Sequence, residues 1–274
     1  MKNNLEKGLK NLFSEGSESV HVLADFDGTL TKEYIGGKKT PSLISILRDN
    51  PEYLSEEYRE KAHALFAKHH PIEKDSSIPM EERKKNMIEW WENHKKLLID
   101  SGIRKDHLEM LADSDIIQWR QGAVEFLKKM KNAGIPVVIL SASGIGEVIP
   151  MYCENKGVSF DQMHFLVNQF IWNQDGQAID FKKPIIHSLN KDETIVKDYV
   201  DVYQEVRNRL NVLLLGNNLG DLRMIDGFDA KNIFSIGFLD KEEKAKASEY
   251  SSNFDQVIVG DGYSEINRIL DKII

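Results

Sequence analysis

Two aspartates spaced one residue apart, Asp25 and Asp27, are the residues of this chain best suited to chemistry. They end an apolar run and are followed by Gly28 and Thr29. Residues two apart in a β-strand point to the same side, so both carboxylates can project from the end of a strand. Two such carboxylates repel each other unless a cation lies between them or one keeps its proton. The pair therefore suits a metal-held nucleophile beside a proton carrier, although a turn built on Asp27-Gly28 explains the same residues.

Three apolar runs, at 20–26, 136–140 and 212–215, are each followed by a polar turn that contains glycine. Each run is typical of a buried strand in a parallel sheet. The carboxyl ends of parallel strands form one edge, and ligands bind at that edge in open α/β sheets. We expect this edge to bring together side chains from distant parts of the chain, namely Asp25, Asp27, Ser141, Asn217 and Asp221. This convergence favours chemistry over a simple turn.

The composition limits the class of protein. The chain has 274 residues, of which 41% are apolar and 29% charged, enough for one large domain or a domain with an inserted smaller one. A net charge of −8 argues against nucleic acid as a partner and still allows a small anionic substrate at a local cationic site. Cys153 is the single cysteine, which excludes a disulfide framework and a cysteine-ligated zinc site. Residues 1–16 are polar and no later run reaches transmembrane length, so we expect a cytoplasmic protein with no membrane contact.

The stretch from residue 41 to residue 117 is rich in Glu, Lys and Leu and contains no predicted strand. Its predicted helices cover residues 43–48, 56–68, 79–100 and 105–112. We therefore predict an α/β core domain, residues 1–40 and 118–274, with a helical cap domain at 41–117 inserted into it. In the core we also predict helices at 1–13, 123–132 and 194–209, a hairpin at 166–181 around Asp175-Gly176, and late strands at 233–236 and 257–259.

The segment Asp25-Phe26-Asp27-Gly28-Thr29-Leu30-Thr31 resembles the first motif of the haloacid dehalogenase superfamily of phosphatases. Ser141, Lys191 and the segment 216–221 resemble its second, third and fourth motifs. Within this superfamily, the chain is similar to the cytosolic type III (pyrimidine) 5′-nucleotidase family from about residue 22 to the end. The segments that carry this more specific resemblance are 38–41, 185–191 and 220–227. The resemblance implies a Rossmann-like, doubly wound parallel sheet with an inserted helical cap.

The resemblance also implies a reaction, phosphoryl transfer through a covalent intermediate. Asp25 would attack phosphorus, and Asp27 would protonate the leaving alkoxide and later take a proton from water. Lys191 and a magnesium ion would supply the positive charge that attack on a phosphate dianion requires. Ser141, together with the amide of Ala142, would hold a phosphoryl oxygen.

The implied magnesium site uses oxygen ligands from Asp25, from the backbone carbonyl of Asp27 and from the fourth motif. This motif begins Gly216-Asn217 where the family has Gly-Asp. An amide oxygen can still bind magnesium, but the site has one negative charge fewer. Asp221 therefore becomes a further candidate ligand.

The inserted helices are expected to set the specificity by closing over the sheet edge. By alignment with the family, Glu73 would meet the base, where a carboxylate can accept hydrogen bonds from an exocyclic amine, as on cytosine or 7-methylguanine. His94 falls at a family base-recognition position where the family carries a serine. Met87, Trp91, His94 and Leu98 share one helix face, so the stripe either packs in the core or faces the cleft.

These observations favour magnesium-dependent hydrolysis of (pyrimidine) nucleoside 5′-monophosphates, by a monomer or a weak homo-oligomer. Two alternatives stay open. The first is a phosphatase of another small phosphomonoester, and the second is a weakly active or non-catalytic homologue that has lost its metal through Asn217.

Overall fold

The structure is a computed structural model that describes residues 2–192, 194–227, 229–260 and 262–274. Met1, which belongs to the first predicted helix, lies outside these ranges. The strands, in chain order, are β1 (Val20–Ala24), β2 (Tyr34–Ile35), β3 (Lys38–Lys39), β4 (Val137–Leu140), β5 (Met163–Leu166), β6 (Phe170–Trp172), β7 (Ala178–Phe181), β8 (Asn211–Gly216), β9 (Asn232–Leu239) and β10 (Gln256–Val259).

The helices flank these strands in the sequence and supply most of the buried apolar side chains outside the sheet. In chain order they are α1 (Lys2–Leu12), α2 (Leu43–Asp49), α3 (Glu56–Lys74), α4 (Met80–Asp100), α5 (Lys105–Asp113), α6 (Ala123–Asn132), α7 (Val148–Asn155), α8 (Thr194–Asp198), α9 (Val200–Val206), α10 (Ala247–Ser251) and α11 (Ser264–Leu270). Short 3₁₀ segments cover Ser17–Ser19, Leu219–Ile225 and Lys241–Lys246. Within the described ranges, every helix is too short or too polar to cross a bilayer.

Within the described residues, six strands form one sheet in the order β10–β9–β8–β1–β4–β5, with every neighbouring pair parallel. Every residue of β1, β4 and β8 is buried, as expected for strands covered on both faces. Ala24 pairs with Ile139 on one side and with Leu215 on the other, so these strands end at the same level. This confirms the predicted α/β class and brings the three polar turns to one edge.

The predicted helical stretch is helical in the structure, where α2 to α5 lie between β3 and β4 in the sequence. We call these four helices the cap helices. Helix α3 continues to Lys74, past Pro71 and beyond its predicted end at residue 68, because it packs along α4. Asn86 of α4 hydrogen-bonds to the ring and the carbonyl of His69, and Arg83 Nε donates to the carbonyl of Glu73 at 3.2 Å. The division into core and cap domains stays a prediction.

Other boundaries differ from the predictions. The helix predicted at 194–209 is two helices, α8 and α9, separated at Tyr199, whose φ of −101° and ψ of 77° are not helical. Strand β5 was not predicted as a separate element, because it has four residues and its two central ones are half-buried. The hairpin of β6 and β7 forms around Asp175-Gly176 as predicted, with Gly176 at a φ of +75°, but it begins at Phe170 because Leu166 belongs to β5.

Candidate active site

The edge of the sheet opens into a cavity of about 530 Å³. Asp25 follows β1, Ser141 follows β4 and Asn217 follows β8, and all three line this cavity. Lys191 and Asp221 complete its base on the side of the sheet, while Glu73 and Trp91 of the cap helices form part of its wall. The structure thus brings the residues predicted from separate segments into one space. A cavity of this size is typical of a small-molecule site.

Lys191 contacts residues of both the first and the fourth predicted motifs. Its Nζ donates to Asp25 Oδ1 and, at 3.0 Å, to Asp221 Oδ1. The other oxygen of Asp221 accepts the backbone N–H groups of Asn217 at 3.1 Å and Asn218 at 2.9 Å. Asp25, Lys191 and Asp221 are all at most 8% exposed. Asp221 therefore fixes the turn after β8 and also balances the charge of Lys191.

Burial and crowding change the acidities in this cluster. Burial raises the pKa of Asp25 to about 7, with Asp221 and Asp27 adding to the increase and Lys191 opposing it. Burial likewise raises the pKa of Asp27 to about 6, again against Lys191. Although burial alone would lower the pKa of Lys191, Asp221 and Asp25 raise it above its usual value. Lys191 is therefore cationic and Asp27 can carry a proton close to neutral pH.

The turn that follows Asp27 is held from several directions. Gly28 has a φ of +75°, a conformation that glycine adopts without strain, and its N–H donates to Thr31 Oγ1 at 3.2 Å. Thr29 Oγ1 donates to Asp25 Oδ2 at 3.3 Å. The carbonyl of Gly28 accepts two hydrogen bonds from the guanidinium of Arg120, at 2.9 and 2.6 Å. These contacts fix the backbone that follows the two predicted catalytic carboxylates and connect it to the rest of the core.

Ser141 and Ala142 lie where β4 meets the cavity. The Ser141 hydroxyl is buried and accepts the backbone N–H of Ser143 at 3.2 Å. The turn continues through Ser143 to Gly144, which contacts Trp91. A Cβ atom on Gly144 would lie 2.2 Å from the Trp91 ring, so glycine is required for this close approach. The turn therefore connects the predicted phosphate-binding residues to the cap helices.

Glu73 lies in the cavity wall, close to the core. Its Oε1 accepts the Ser188 hydroxyl at 2.6 Å, and its Oε2 lies 3.0 Å from His70 Nδ1. His94, also predicted to bind substrate, is instead 4% exposed and pairs with the Tyr58 hydroxyl at 3.0 Å. Its ring stacks on that of Trp91, with centroids 5.7 Å apart. The helical spacing places both on one face, but Trp91 lines the cavity and His94 lies behind it in the packing layer.

The oxygen-rich base of the cavity suits a hard cation. Asp25, Asp27 and Asp221 place three carboxylates against the single charge of Lys191. Burial is the main cause that raises the pKa of Asp25, and the neighbouring carboxylates Asp221 and Asp27 raise it further. Within the described ranges, no cluster of three or more His, Cys, Asp or Glu side chains is arranged to hold a metal by itself. Amide and backbone oxygens, such as those of Asn217 and Asp27, would have to complete a magnesium site. The donors present fit this ion in their chemistry.

Two contacts at the site were not predicted from the sequence. Arg120 and Asp240 form a buried ion pair behind the turn of Gly28, with Nη2 and Oδ2 2.7 Å apart. Glu33 accepts a hydrogen bond from the side chain of Asn217 at 3.1 Å. Neither contact has a signal in the sequence, since the partners are 120 and 184 residues apart and follow no periodic pattern.

Comparison with known proteins decides the family. Residues 28–274 match the family described as Pyrimidine 5'-nucleotidase (UMPH-1). The chain belongs to this family. It is 32% identical over 260 residues to the 7-methylguanosine phosphate-specific 5'-nucleotidase A of Xenopus laevis, across 94% of this chain and 89% of that protein.

Solved structures agree with this assignment. A crystal structure of cytosolic 5'-nucleotidase IIIB bound to cytidine superimposes with a TM-score of 0.85 at 27% identity, covering 97% of this chain and 89% of that one. A phosphoserine phosphatase shares the fold, with a TM-score of 0.51 at 17% identity over 91% of this chain and 97% of that one. The predicted relationship to the haloacid dehalogenase superfamily and its type III 5′-nucleotidases is confirmed. As a member of the UMPH-1 family, the chain is a phosphoric monoester hydrolase of the 5′-nucleotidase type.

Proposed function

We propose that this 5′-nucleotidase hydrolyses nucleoside 5′-monophosphates with magnesium through an aspartyl-phosphate on Asp25. The observation that carries the proposal is the contact of Lys191 with both Asp25 and Asp221 at the base of a cavity walled by cap helices. Those contacts hold a nucleophile, a cation and a further carboxylate within hydrogen-bonding distance of one another. Phosphoryl transfer needs little more from a protein than such positioning and positive charge.

The reaction has two displacements. Asp25 attacks the phosphorus, a bond forms between its oxygen and phosphorus, and the bond from phosphorus to the nucleoside O5′ breaks. Asp27 gives its proton to that alkoxide, and its pKa of about 6 keeps a protonated fraction available near neutral pH. Water then attacks the aspartyl-phosphate, its proton passes to Asp27, and inorganic phosphate leaves Asp25 free.

Other residues bind the phosphoryl group. The Ser141 hydroxyl and the Ala142 amide would donate to one of its oxygens, and Lys191 would neutralise developing charge. Magnesium, when bound, supplies the positive charge that lets a carboxylate approach a phosphate dianion. Asp25, the backbone carbonyl of Asp27, Asn217 and Asp221 would hold it.

The base would lie against the cap helices, where Glu73 offers carboxylate oxygens to an exocyclic amine. Cytosine and 7-methylguanine both carry such an amine, and uracil does not. The relatives that act on 7-methylguanosine phosphate and the related structure with cytidine support both bases as candidates. His94 would act indirectly, by supporting the ring of Trp91.

The test is a phosphate-release assay with purified protein and magnesium. CMP and 7-methyl-GMP are expected to be substrates, and Asp25→Asn should abolish their hydrolysis. UMP serves as the matched substrate without the amine, and Glu73→Gln should raise the KM for CMP more than that for UMP. Hydrolysis of sugar phosphates in preference to every nucleotide would refute the substrate class, and full activity of Asp25→Asn would refute the mechanism.

A further inference from the structure

Asn217, where an amide replaces the expected carboxylate, is held at its backbone and at its side chain. Its N–H donates to Asp221 Oδ2 at 3.1 Å, and its carbonyl accepts the Tyr250 hydroxyl at 2.8 Å. Its side-chain Nδ2 donates to Glu33 Oε2 at 3.1 Å. Because the backbone of Asn217 is held on both sides, the main freedom left to its side chain is a rotation that exchanges the positions of the amide nitrogen and oxygen. The contact with Glu33 removes that freedom.

Glu33 is itself well placed to act as a fixed acceptor. Its side chain is 14% exposed, and its Oε1 forms an ion pair with Lys39 at 2.7 Å. The neighbouring Glu243, whose carboxyl group contacts Glu33, is paired with Lys246 at 2.6 Å. The atom of Asn217 that faces Glu33 is Nδ2, and Glu33 Oε2 accepts its hydrogen bond.

Gly28 makes room for this arrangement. A Cβ atom on Gly28 would lie 2.1 Å from Asn217 Nδ2 and 3.3 Å from the Cβ of Glu33. The amide therefore packs directly over the turn that carries Asp27. The nitrogen and oxygen of an amide point in different directions from the same carbon, so holding Nδ2 on Glu33 keeps Oδ1 away from it. Asn217 also lines the cavity that contains Asp25 and Asp221.

We propose that Glu33 is a positioning residue for the cation site, which fixes the side-chain amide of Asn217 so that its oxygen is available to magnesium. The inference rests on the proposed function, since it needs a cation between Asn217 and Asp25. Without the acceptor, the amide turns freely, and its Nδ2 presents hydrogens to a cation in part of the population. Removal of a group that orients a metal ligand typically costs 10–100-fold in metal affinity.

The experiment measures the magnesium Kd of the resting, substrate-free enzyme by isothermal titration calorimetry. Glu33→Ala removes the acceptor and is expected to weaken magnesium binding about tenfold. Glu33→Gln loses the charge but keeps an acceptor oxygen, and it should stay within about threefold of the unaltered protein. Lys39→Gln, which removes only the ion pair to Glu33, is the matched control and should change the Kd less than twofold. Equal weakening in Glu33→Ala and Glu33→Gln, or none in either, overturns the proposal.

A second pair of variants tests the same contact without deleting the acceptor. Asn217→Asp places a carboxylate against Glu33, so repulsion turns it away and the gain in magnesium affinity is small. In the double variant with Glu33→Gln the repulsion is gone, and magnesium should bind at least about fivefold more tightly than in Asn217→Asp alone. Equal affinities in the two variants overturn the proposal. This comparison also decides the matter if Glu33→Ala does not fold.

The metal readout separates this inference from the proposed function. If magnesium affinities follow the expected order but no nucleotide is hydrolysed, the proposed function fails and the positioning role stands. If nucleotides are hydrolysed with magnesium and the affinities are insensitive to Glu33, only the positioning role fails.

Discussion

The ion pair of Arg120 and Asp240 gives the sharpest test of how the core supports the turn that follows Asp27. The guanidinium is completely buried, and Asp240 is 9% exposed. Arg120 Nη1 and Nη2 donate to the two oxygens of Asp240 at 3.1 and 2.7 Å, and Nη1 also donates to the carbonyl of Gly260 at 3.3 Å. Nε and Nη2 hold the carbonyl of Gly28. The substitution Asp240→Asn keeps the shape of this partner and removes its charge.

The expected cost follows from these contacts. Asparagine offers one acceptor oxygen in place of two and turns an NH₂ group toward the guanidinium. One charge-assisted hydrogen bond is lost, worth about 1.5–3 kcal/mol. The guanidinium is also left buried without a counter-charge, and breaking a buried pair in this way costs about 3–5 kcal/mol in total. Such a loss is a large part of the roughly 5–15 kcal/mol that stabilises a typical protein.

The assay is urea unfolding followed by circular dichroism at neutral pH, with Asp240→Asn, Arg120→Met and the double variant compared. The double variant should cost less than the sum of the single ones, by about 2 kcal/mol, because each single change strands the other partner. Glu57→Gln, in an exposed ion pair with Lys61, is the control and should not move the urea midpoint measurably. A cost below about 1 kcal/mol for Asp240→Asn, the value of an exposed pair, would show that the buried charge is not what stabilises the turn.

Three further changes have expected outcomes. Gly28→Ala should weaken magnesium binding more than Gly102→Ala, because both glycines have a φ near +75° but only the first would press a Cβ on Asn217; equal effects would point to backbone strain alone. His94→Gln should flatten the pH dependence of the unfolding free energy between pH 6.5 and about 4. Burial lowers the pKa of His94 to about 4, so the unfolded chain binds a proton first and the native protein loses up to about 1.4 kcal/mol per pH unit as the pH falls; parallel curves for both proteins would contradict this. Ser188→Ala should raise the KM for CMP about fivefold with little change in kcat, since a neutral hydrogen bond to Glu73 is worth about 1 kcal/mol; an unchanged KM in steady-state kinetics would exclude an orienting role.

The centre of the fold could be predicted because each of its strands has a clear signal in the local sequence. In β1, β4 and β8 every residue is buried, and each strand runs directly into a glycine-containing polar turn. Helix α6 has its predicted bounds because Gly134 and Pro136 end it. Strand β5 lies at the edge of the sheet with mixed burial, and such a short segment carries no distinct periodicity. The break at Tyr199 occurs without glycine or proline, so a continuous helix was the natural prediction.

In the site, too, some residues could be predicted from the sequence and others could not. The residues at strand ends, such as Asp25 and Ser141, could be found because a parallel sheet brings its carboxyl ends to one edge whatever the loops do. The orientation of His94 could not, because helical spacing gives a shared face but not which side chain covers which. Trp91 lines the cavity, and the Tyr58 hydroxyl forms a hydrogen bond with Nε2 of His94. Only the packing of α3 on α4 decides that order.

Three groups meet at Gly28, and of these only Arg120 was not predicted from the sequence. Arg120 holds the carbonyl of Gly28, Thr31 accepts its N–H, and the amide of Asn217 lies where its side chain would be. The turn that follows Asp27 is thus confined by groups from separate segments of the chain, and none of these groups needs to touch substrate. A carboxylate nucleophile and an acid two residues later must keep their relative positions within a fraction of an ångström through two displacements. The buried guanidinium of Arg120 and the side-chain amide of Asn217 both hold this turn, so a change at either should shift Asp27 relative to Asp25 without removing either carboxylate.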